Sequence, residues 1–257
     1  MLGRYVYSYL SRKFDVIGTD RSWFSVDYFS EAHGWLLGIA PGDVVINCIG
    51  LIKQRKDKLP LDFVNINTAF PLVLSSVCKN IGAKFVHVTT DCVFDGEKGQ
   101  YNEQDKHTAN DVYGMSKSLG EPKEANVIRT SIIGEEKENK LSLLEWAKSK
   151  RGETVNGFLN HHWNGITCLQ FAKLCEQIIN DNLFWSGVKH VFSPNAVSKY
   201  ELLCMISDAF KLDLNVIPFY ADENCDRTLT SIRDDVIISV PELEYQLKEL
   251  RNYSFEL

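Results

Sequence analysis

The sequence predicts an α/β protein: a doubly wound parallel sheet followed by a smaller C-terminal part. Two observations carry this. Short β-branched runs alternate with helical patterns through the first two-thirds of the chain, the rhythm of successive βαβ units. After about Gly134 that rhythm gives way to helical segments separated by loops, with no Gly/Ser-rich tether between the two regions. Residues 1–133 are therefore expected to form a dinucleotide-binding unit. Residues 134–257 are expected to form a substrate-binding part packed against it, with segments that can return to the sheet.

The expected strands are residues 15–19, 43–49, 84–89 and 126–129, each short, apolar and followed by a turn, as buried parallel strands should be. Helical patterns fill residues 2–13, 26–37, 61–81 and 111–123, and then 142–150, 167–180 and 198–210. Thr167 and Ser198 stand where a hydroxyl can accept from the first free backbone N–H groups, so both read as N-caps.

At 257 residues, with 44% hydrophobic and 24% charged side chains, the chain can bury a substantial core and has no need of disulfide staples. Its formal charge of -6 and the lack of a basic block argue against a nucleic-acid partner. The seven cysteines are odd in number and never spaced as CxxC, so neither a zinc site nor a disulfide framework is expected, and a reducing cytosol is the simplest compartment. No run of consecutive apolar residues is long enough to span a bilayer, and the amphipathic opening has no cleavage site. No metal and no membrane partner are expected. The adjacent His161 and His162 point in different directions on any regular element and are not read as metal ligands.

Chemistry concentrates between Thr89 and Lys117. Tyr113 and Lys117 are four residues apart, which on a helix puts both side chains on one face. Around them lie TTDCVFDG at residues 89–96, then Tyr101, Glu103 and Asp105, then DVYGMSKSLGE at residues 111–121. Further motifs are VVINCIG at 44–50, INTAFP at 66–71 and VIRTSIIGE at 127–135. This combination resembles the dTDP-4-dehydrorhamnose reductase family, a branch of the extended short-chain dehydrogenases with a Rossmann fold. That family carries STDYVFDG at a strand end, followed by YGxSKxxGE.

The resemblance implies a catalytic set. Tyr113 would give a proton to a substrate carbonyl, Lys117 would stabilise the phenolate and hold the cofactor ribose, and Thr90 would hydrogen-bond the developing alkoxide. It implies NADPH or NADH as cofactor. Gly50 would let backbone approach that cofactor, Cys48 and Ile49 would line the passage, and Asn67 would order water behind the lysine or simply cap a helix. Asp20 suits the adenine ribose of NAD and Arg21 the 2′-phosphate of NADP, which leaves the choice open. On the substrate side the resemblance implies Thr90, Val93, Phe94, Trp163 and Arg227, the last as a partner for a diphosphate. The stretch NHHWNGIT at 160–167 departs from the family's QxGxPT pattern.

Met1, Leu2 and Gly3 resemble the end of the family's GxxGMLG turn, making Gly3 its last glycine. The first strand and the earlier glycines are then expected to be missing, through an internal start codon or a true loss. In the second case both cofactor affinity and stability should fall. The expected function is reduction of a 4-keto-6-deoxy nucleotide sugar, dTDP- or UDP-linked. The alternatives are a non-catalytic regulatory or binding protein of the same fold, similar to the β subunit of methionine adenosyltransferase, and a nucleotide-sugar epimerase. No Glu follows Asp91, which weakens a dehydratase reading. The oligomeric state stays open, with a homodimer as the candidate.

Overall fold

The computed structural model describes residues 1–19, 38–55, 57–138 and 140–255. Its centre is a parallel sheet of β1 (Val44–Asn47), β2 (Lys84–Thr90), β3 (Asn126–Thr130) and β8 (Gly187–His190), in the order β1-β2-β3-β8. The register pairs Val44 with Lys84, Thr90 with Thr130 and Arg129 with His190, so the carboxyl ends of β2, β3 and β8 finish side by side. Along β2 the side chains alternate between two cores. Val86 and Val88 join Ile128 beneath α1 (Leu2–Leu10) and α5 (Cys168–Asn180), while Phe85 joins Phe70, Leu74, Cys78 and Val127 on the opposite face. Helices on both faces make the sheet doubly wound, as the sequence predicts.

Two expected elements differ. The strand at 43–49 ends at Asn47, because the Asn47 side-chain oxygen accepts from the Ile49 N–H (2.9 Å) and turns the chain out of the ladder. No strand forms at 15–19. Ile17 is 80% exposed, and Gly18 lies against the Tyr7 ring of α1, where a Cβ would come within 2.6 Å, so this segment folds back on its helix instead of joining the sheet. The expected helix at 26–37 lies outside the described residues, as do Asp20 and Arg21.

α2 runs over Pro60–Ile81, opened by proline in its first turn and closed by Gly82 in the left-handed region (φ 85°). It is the one helix among the described residues long and apolar enough, by length and composition, to cross a membrane. Here Phe70, Leu74 and Cys78 pack it on the sheet. Its second turn, Val64–Ala69, is π-helical, a widening often found at functional sites. α3 (Val112–Leu119) is shorter than expected and stops at Gly120.

In the C-terminal part, α4 (Leu143–Ser149), α5, α6 (Lys199–Phe210) and α7 (Leu243–Asn252) surround the larger core. Thr167 caps α5 through Gln170 N–H (3.1 Å), and Ser198 caps α6 in a reciprocal box with Glu201. β8 comes from this part and completes the main sheet. The remaining strands are short: β4 (Ile132–Ile133) with β7 (Ile166–Thr167), β5 (Thr154–Phe158) with β10 (Asn215–Phe219), and a three-stranded β11-β6-β9 of Cys225–Asp226, His161–Trp163 and Val197–Ser198.

Candidate active site

Glycines bring the site together. A Cβ on Gly114 would lie 2.3 Å from the Cys92 carbonyl oxygen and 2.5 Å from Ala109 Cβ, so bare backbone lets α3 settle against the turn that follows β2. A Cβ on Gly120 would lie 1.8 Å from the Asn67 carbonyl oxygen, so the other end of α3 meets the π-helical turn of α2 main chain to main chain. Thr68 Oγ1 donates to Ser116 O (2.6 Å) and Asn67 Nδ2 to Ser116 Oγ (3.1 Å), which fixes that contact. Gly120→Ala is accordingly expected to lower stability by about 1–3 kcal/mol, since backbone on both sides must give way. Thermal unfolding of the purified variant checks this.

Thr90 stands at the end of β2 and Tyr113 and Lys117 on α3, which Asp111 caps through Gly114 N–H (2.9 Å). Thr90 Oγ1 accepts from Cys92 N–H (3.1 Å) and donates to Asp91 Oδ1 (3.1 Å). The Tyr113 phenol is half-buried and its pKa is pushed up, chiefly by burial, with Cys92, Asp91 and Asp111 acting in the same sense and a hydrogen bond with Thr90 opposing. Burial outweighs the other causes, so the phenol keeps its proton at neutral pH.

Lys117 is buried and Nζ donates to Val88 O (3.2 Å). Burial pulls its pKa down to about 8, with Glu121 and Cys48 acting to raise it. Because the folded value lies below that of an ordinary lysine, the ammonium is lost as pH rises through about 8. Any step that needs this charge should decline above that pH. Over the window from about 8 to the ordinary value the unfolded chain binds the extra proton, so stability rises with pH there. A pH profile of kcat/KM is expected to fall on its alkaline side near 8, and to lose that limb in Lys117→Met.

Behind the lysine, Asn67 lies within the π-helical turn and caps nothing. Its Oδ1 accepts from Leu51 N–H (2.9 Å) and its Nδ2 also donates to Leu51 O (3.1 Å), pinning the loop that follows β1. That loop contains exposed Gly50, where a Cβ would come 3.3 Å from Lys117 Nζ and 3.4 Å from Asn67 Oδ1. The missing side chain keeps an approach to the ammonium open. Gly3, at the start of α1, faces Cys48, its would-be Cβ 3.4 Å from that of the cysteine. The Cys48 thiol is pushed up to about 12 by burial, so it is a neutral wall and not a nucleophile. Ile49 is half-buried against the smaller core.

The residues expected on the substrate side are distributed differently. Val93 and Phe94 are fully buried, with Phe94 stacked on Tyr101 (centroids 4.1 Å apart), so their side chains support the strand-end turn from within. The Trp163 indole is 6% exposed and belongs to the larger core, leaving little of it to stack on a sugar. Arg227 Nε donates to Phe94 O (2.8 Å) and Nη2 to Asp95 O (3.0 Å), which anchors the guanidinium to the Thr90 turn.

Sequence reasoning missed what lies beneath. Arg129, 1% exposed, clasps the Glu121 carboxylate, whose side chain is 7% exposed, with Nε to Oε1 (3.1 Å) and Nη2 to Oε2 (2.6 Å). It also donates to His190 Nε2 (2.8 Å) and His107 Nε2 (2.6 Å). An arginine only donates, so both imidazoles accept and are neutral. Burial, then Arg129, hold His190 down to about 4. Glu121 and Arg129 were visible within the motifs at 111–121 and 127–135, but an arginine in an apolar strand reveals its purpose only with its partners.

Comparison with known proteins adds to this geometry. The sequence profile of the family described as the RmlD substrate binding domain matches residues 1–229. The chain belongs to that family. Among curated relatives, the spore coat polysaccharide biosynthesis protein SpsK of Bacillus subtilis is 27% identical over 229 residues, covering 84% of this chain and 77% of that protein. A dTDP-4-dehydrorhamnose reductase of Mycobacterium tuberculosis is 34% identical over 108 residues, covering 37% of this chain and 35% of the reductase. The methionine adenosyltransferase 2 subunit beta of Rattus norvegicus is 27% identical over 199 residues, covering 71% of this chain and 59% of that protein.

Solved structures of family members share the fold. A dTDP-4-dehydrorhamnose reductase from Clostridium acetobutylicum superimposes with a TM-score of 0.79 at 21% identity, over 98% of this chain and 95% of that one. A Bacillus anthracis dTDP-4-dehydrorhamnose reductase in complex with NADP gives 0.77 at 19% identity, over 93% and 90%.

Proposed function

We propose that this family member is an NAD(P)H-dependent oxidoreductase that reduces the 4-keto group of a 6-deoxy nucleotide sugar, dTDP- or UDP-linked, as a step in the supply of polysaccharide precursors. The observation that carries this reading is the convergence of Thr90, Tyr113 and Lys117 at the carboxyl end of β2, with the phenol beside the threonine hydroxyl and the lysine amine on the Val88 carbonyl. The relatives named above, with their reductase and polysaccharide-biosynthesis descriptions, support it.

The residues present suit a nicotinamide cofactor at its ribose end. Lys117 Nζ gives one hydrogen bond to Val88 O and keeps its other donors for ribose hydroxyls, and Gly50 leaves the approach clear. The bound cofactor supplies a hydride to the carbonyl carbon. As negative charge gathers on the carbonyl oxygen, Thr90 Oγ1 turns its one proton from Asp91 Oδ1 to that oxygen and holds its direction. Tyr113 then gives up its proton to that oxygen. A raised phenol pKa suits this direction, because an alkoxide is a far stronger base than a phenolate and the acid must keep its proton until the alkoxide forms. Lys117 nearby completes the polar wall. All seven cysteines are free, which supports the cytoplasm as the compartment.

A second reading is a non-catalytic subunit of the same fold, supported by the similarity to methionine adenosyltransferase 2 subunit beta. The two separate in one assay: purified protein, NADPH or NADH, and 4-keto-6-deoxyhexoses linked to dTDP and to UDP. Steady loss of reduced-nicotinamide absorbance is expected. No turnover with either cofactor and either nucleotide base would exclude the reductase.

A further inference from the structure

The small sheet β11-β6-β9 aligns three side chains that the reaction above does not use as a group. Its register pairs Asp226 with His162 and His162 with Ser198, and Trp163 with Val197. Arg227 and Lys199 are the residues that follow Asp226 and Ser198, just past the paired positions. The Lys199 ammonium reaches over the Trp163 ring and lies near enough to Arg227 for the two charges to repel, so the three side chains gather on one face. That face is turned toward the Thr90 turn: Asp226 N–H donates to Gly96 O (2.7 Å), and Arg227 holds the Phe94 and Asp95 carbonyls.

Lys199 is the unusual member. Its Nζ sits 5.3 Å from the Trp163 ring centroid, the side chain is half-buried, and it takes no hydrogen-bond or ion-pair acceptor among the described residues. Asp91, the carboxylate facing it and Arg227, is buried and already accepts from Thr90. Burial pushes the Asp91 carboxyl up and the Lys199 ammonium down, as expected of charges withdrawn from water without full pairing. Two cations thus face one engaged carboxyl beside the reacting residues.

We propose that Lys199, with Arg227, holds an anionic oxygen group of the substrate, either the diphosphate of the nucleotide sugar or a carboxylate on its sugar. The inference rests on the nucleotide-sugar reading above. It makes Lys199 a binding residue contributed by the first turn of α6, whose cap rests on Ser198 and Glu201 and so survives its replacement.

The test measures binding by calorimetry for the unaltered protein, Lys199→Met and Lys199→Arg, using dTDP, UDP, UDP-glucose and UDP-glucuronate. If Lys199 holds the diphosphate, Lys199→Met should weaken dTDP or UDP by about 10- to 100-fold, with most of the loss restored in Lys199→Arg. If it holds a sugar carboxylate, the nucleoside diphosphates should bind both forms equally, while a preference for UDP-glucuronate over UDP-glucose should vanish in Lys199→Met. Equal affinities for every ligand in the unaltered protein and Lys199→Met would overturn the proposal and leave the reductase reading standing. Folded, unaltered protein that binds none of these ligands would overturn both.

Discussion

Tyr113→Phe is expected to lower kcat by roughly 10²- to 10⁴-fold, the range for loss of a positioned acid, while KM and thermal stability change little. The substitution removes only the phenol oxygen, which lies beside Thr90 at the site, and keeps the ring. Thr90→Val should fall in the same assay by about 10²- to 10³-fold, because an isosteric methyl cannot donate to the alkoxide. Thr90 also closes the turn after β2 through Cys92 N–H, so its variant should lose some stability where Tyr113→Phe does not. A Tyr113→Phe protein with normal kcat would remove the phenol from the mechanism.

Arg129→Met should be the most damaging single change to the fold. The guanidinium is enclosed, and its removal leaves Glu121, with a side chain 7% exposed, as a buried carboxylate without its cation. Breaking such a pair from one side costs about 3–5 kcal/mol. Two imidazoles lose their donor at the same time, and Phe94 loses the cation that lies 5.2 Å from its ring centroid. Urea unfolding is expected to report the loss, and Arg129→Met combined with Glu121→Gln should recover part of it by removing the stranded charge. A loss under about 1 kcal/mol would show that the network is not what holds the strand ends together. Because Arg227 is anchored on Phe94 and Asp95, damage at Arg129 should also reach the substrate side.

The sequence made the main sheet legible wherever burial on both faces forces a continuous apolar run, as in Val44–Asn47, Lys84–Thr90 and Asn126–Thr130. It misled at 15–19, where the same composition folds back over Tyr7 instead of finding a neighbouring strand. The two- to five-residue strands of the C-terminal part carry too little periodicity to read. α7 was readable, since Leu243, Leu247 and Leu250 repeat at helical spacing on its buried side, but the many charges between them mask the pattern.

At the site, the Tyr–Lys spacing and the strand-end threonine were visible because chemistry demands those residue types. The supporting glycines were visible only as letters: nothing in the sequence says that Gly120 meets the Asn67 carbonyl oxygen or that Gly114 meets Cys92. The sign of the phenol's shift was also beyond reach, because it depends chiefly on burial, which only the packed site reveals. The side chains of Val93, Phe94 and Trp163 face inward, and direction at a turn is set by packing.

The most direct test of the account is to run the reaction with NADPH deuterated at the transferable position and to weigh the nucleotide-sugar product. A reductase that uses Thr90, Tyr113 and Lys117 as described should yield a product carrying one deuterium per cofactor oxidised. An isomerised sugar with no deuterium and no net cofactor oxidation would contradict the account and make the chain an epimerase.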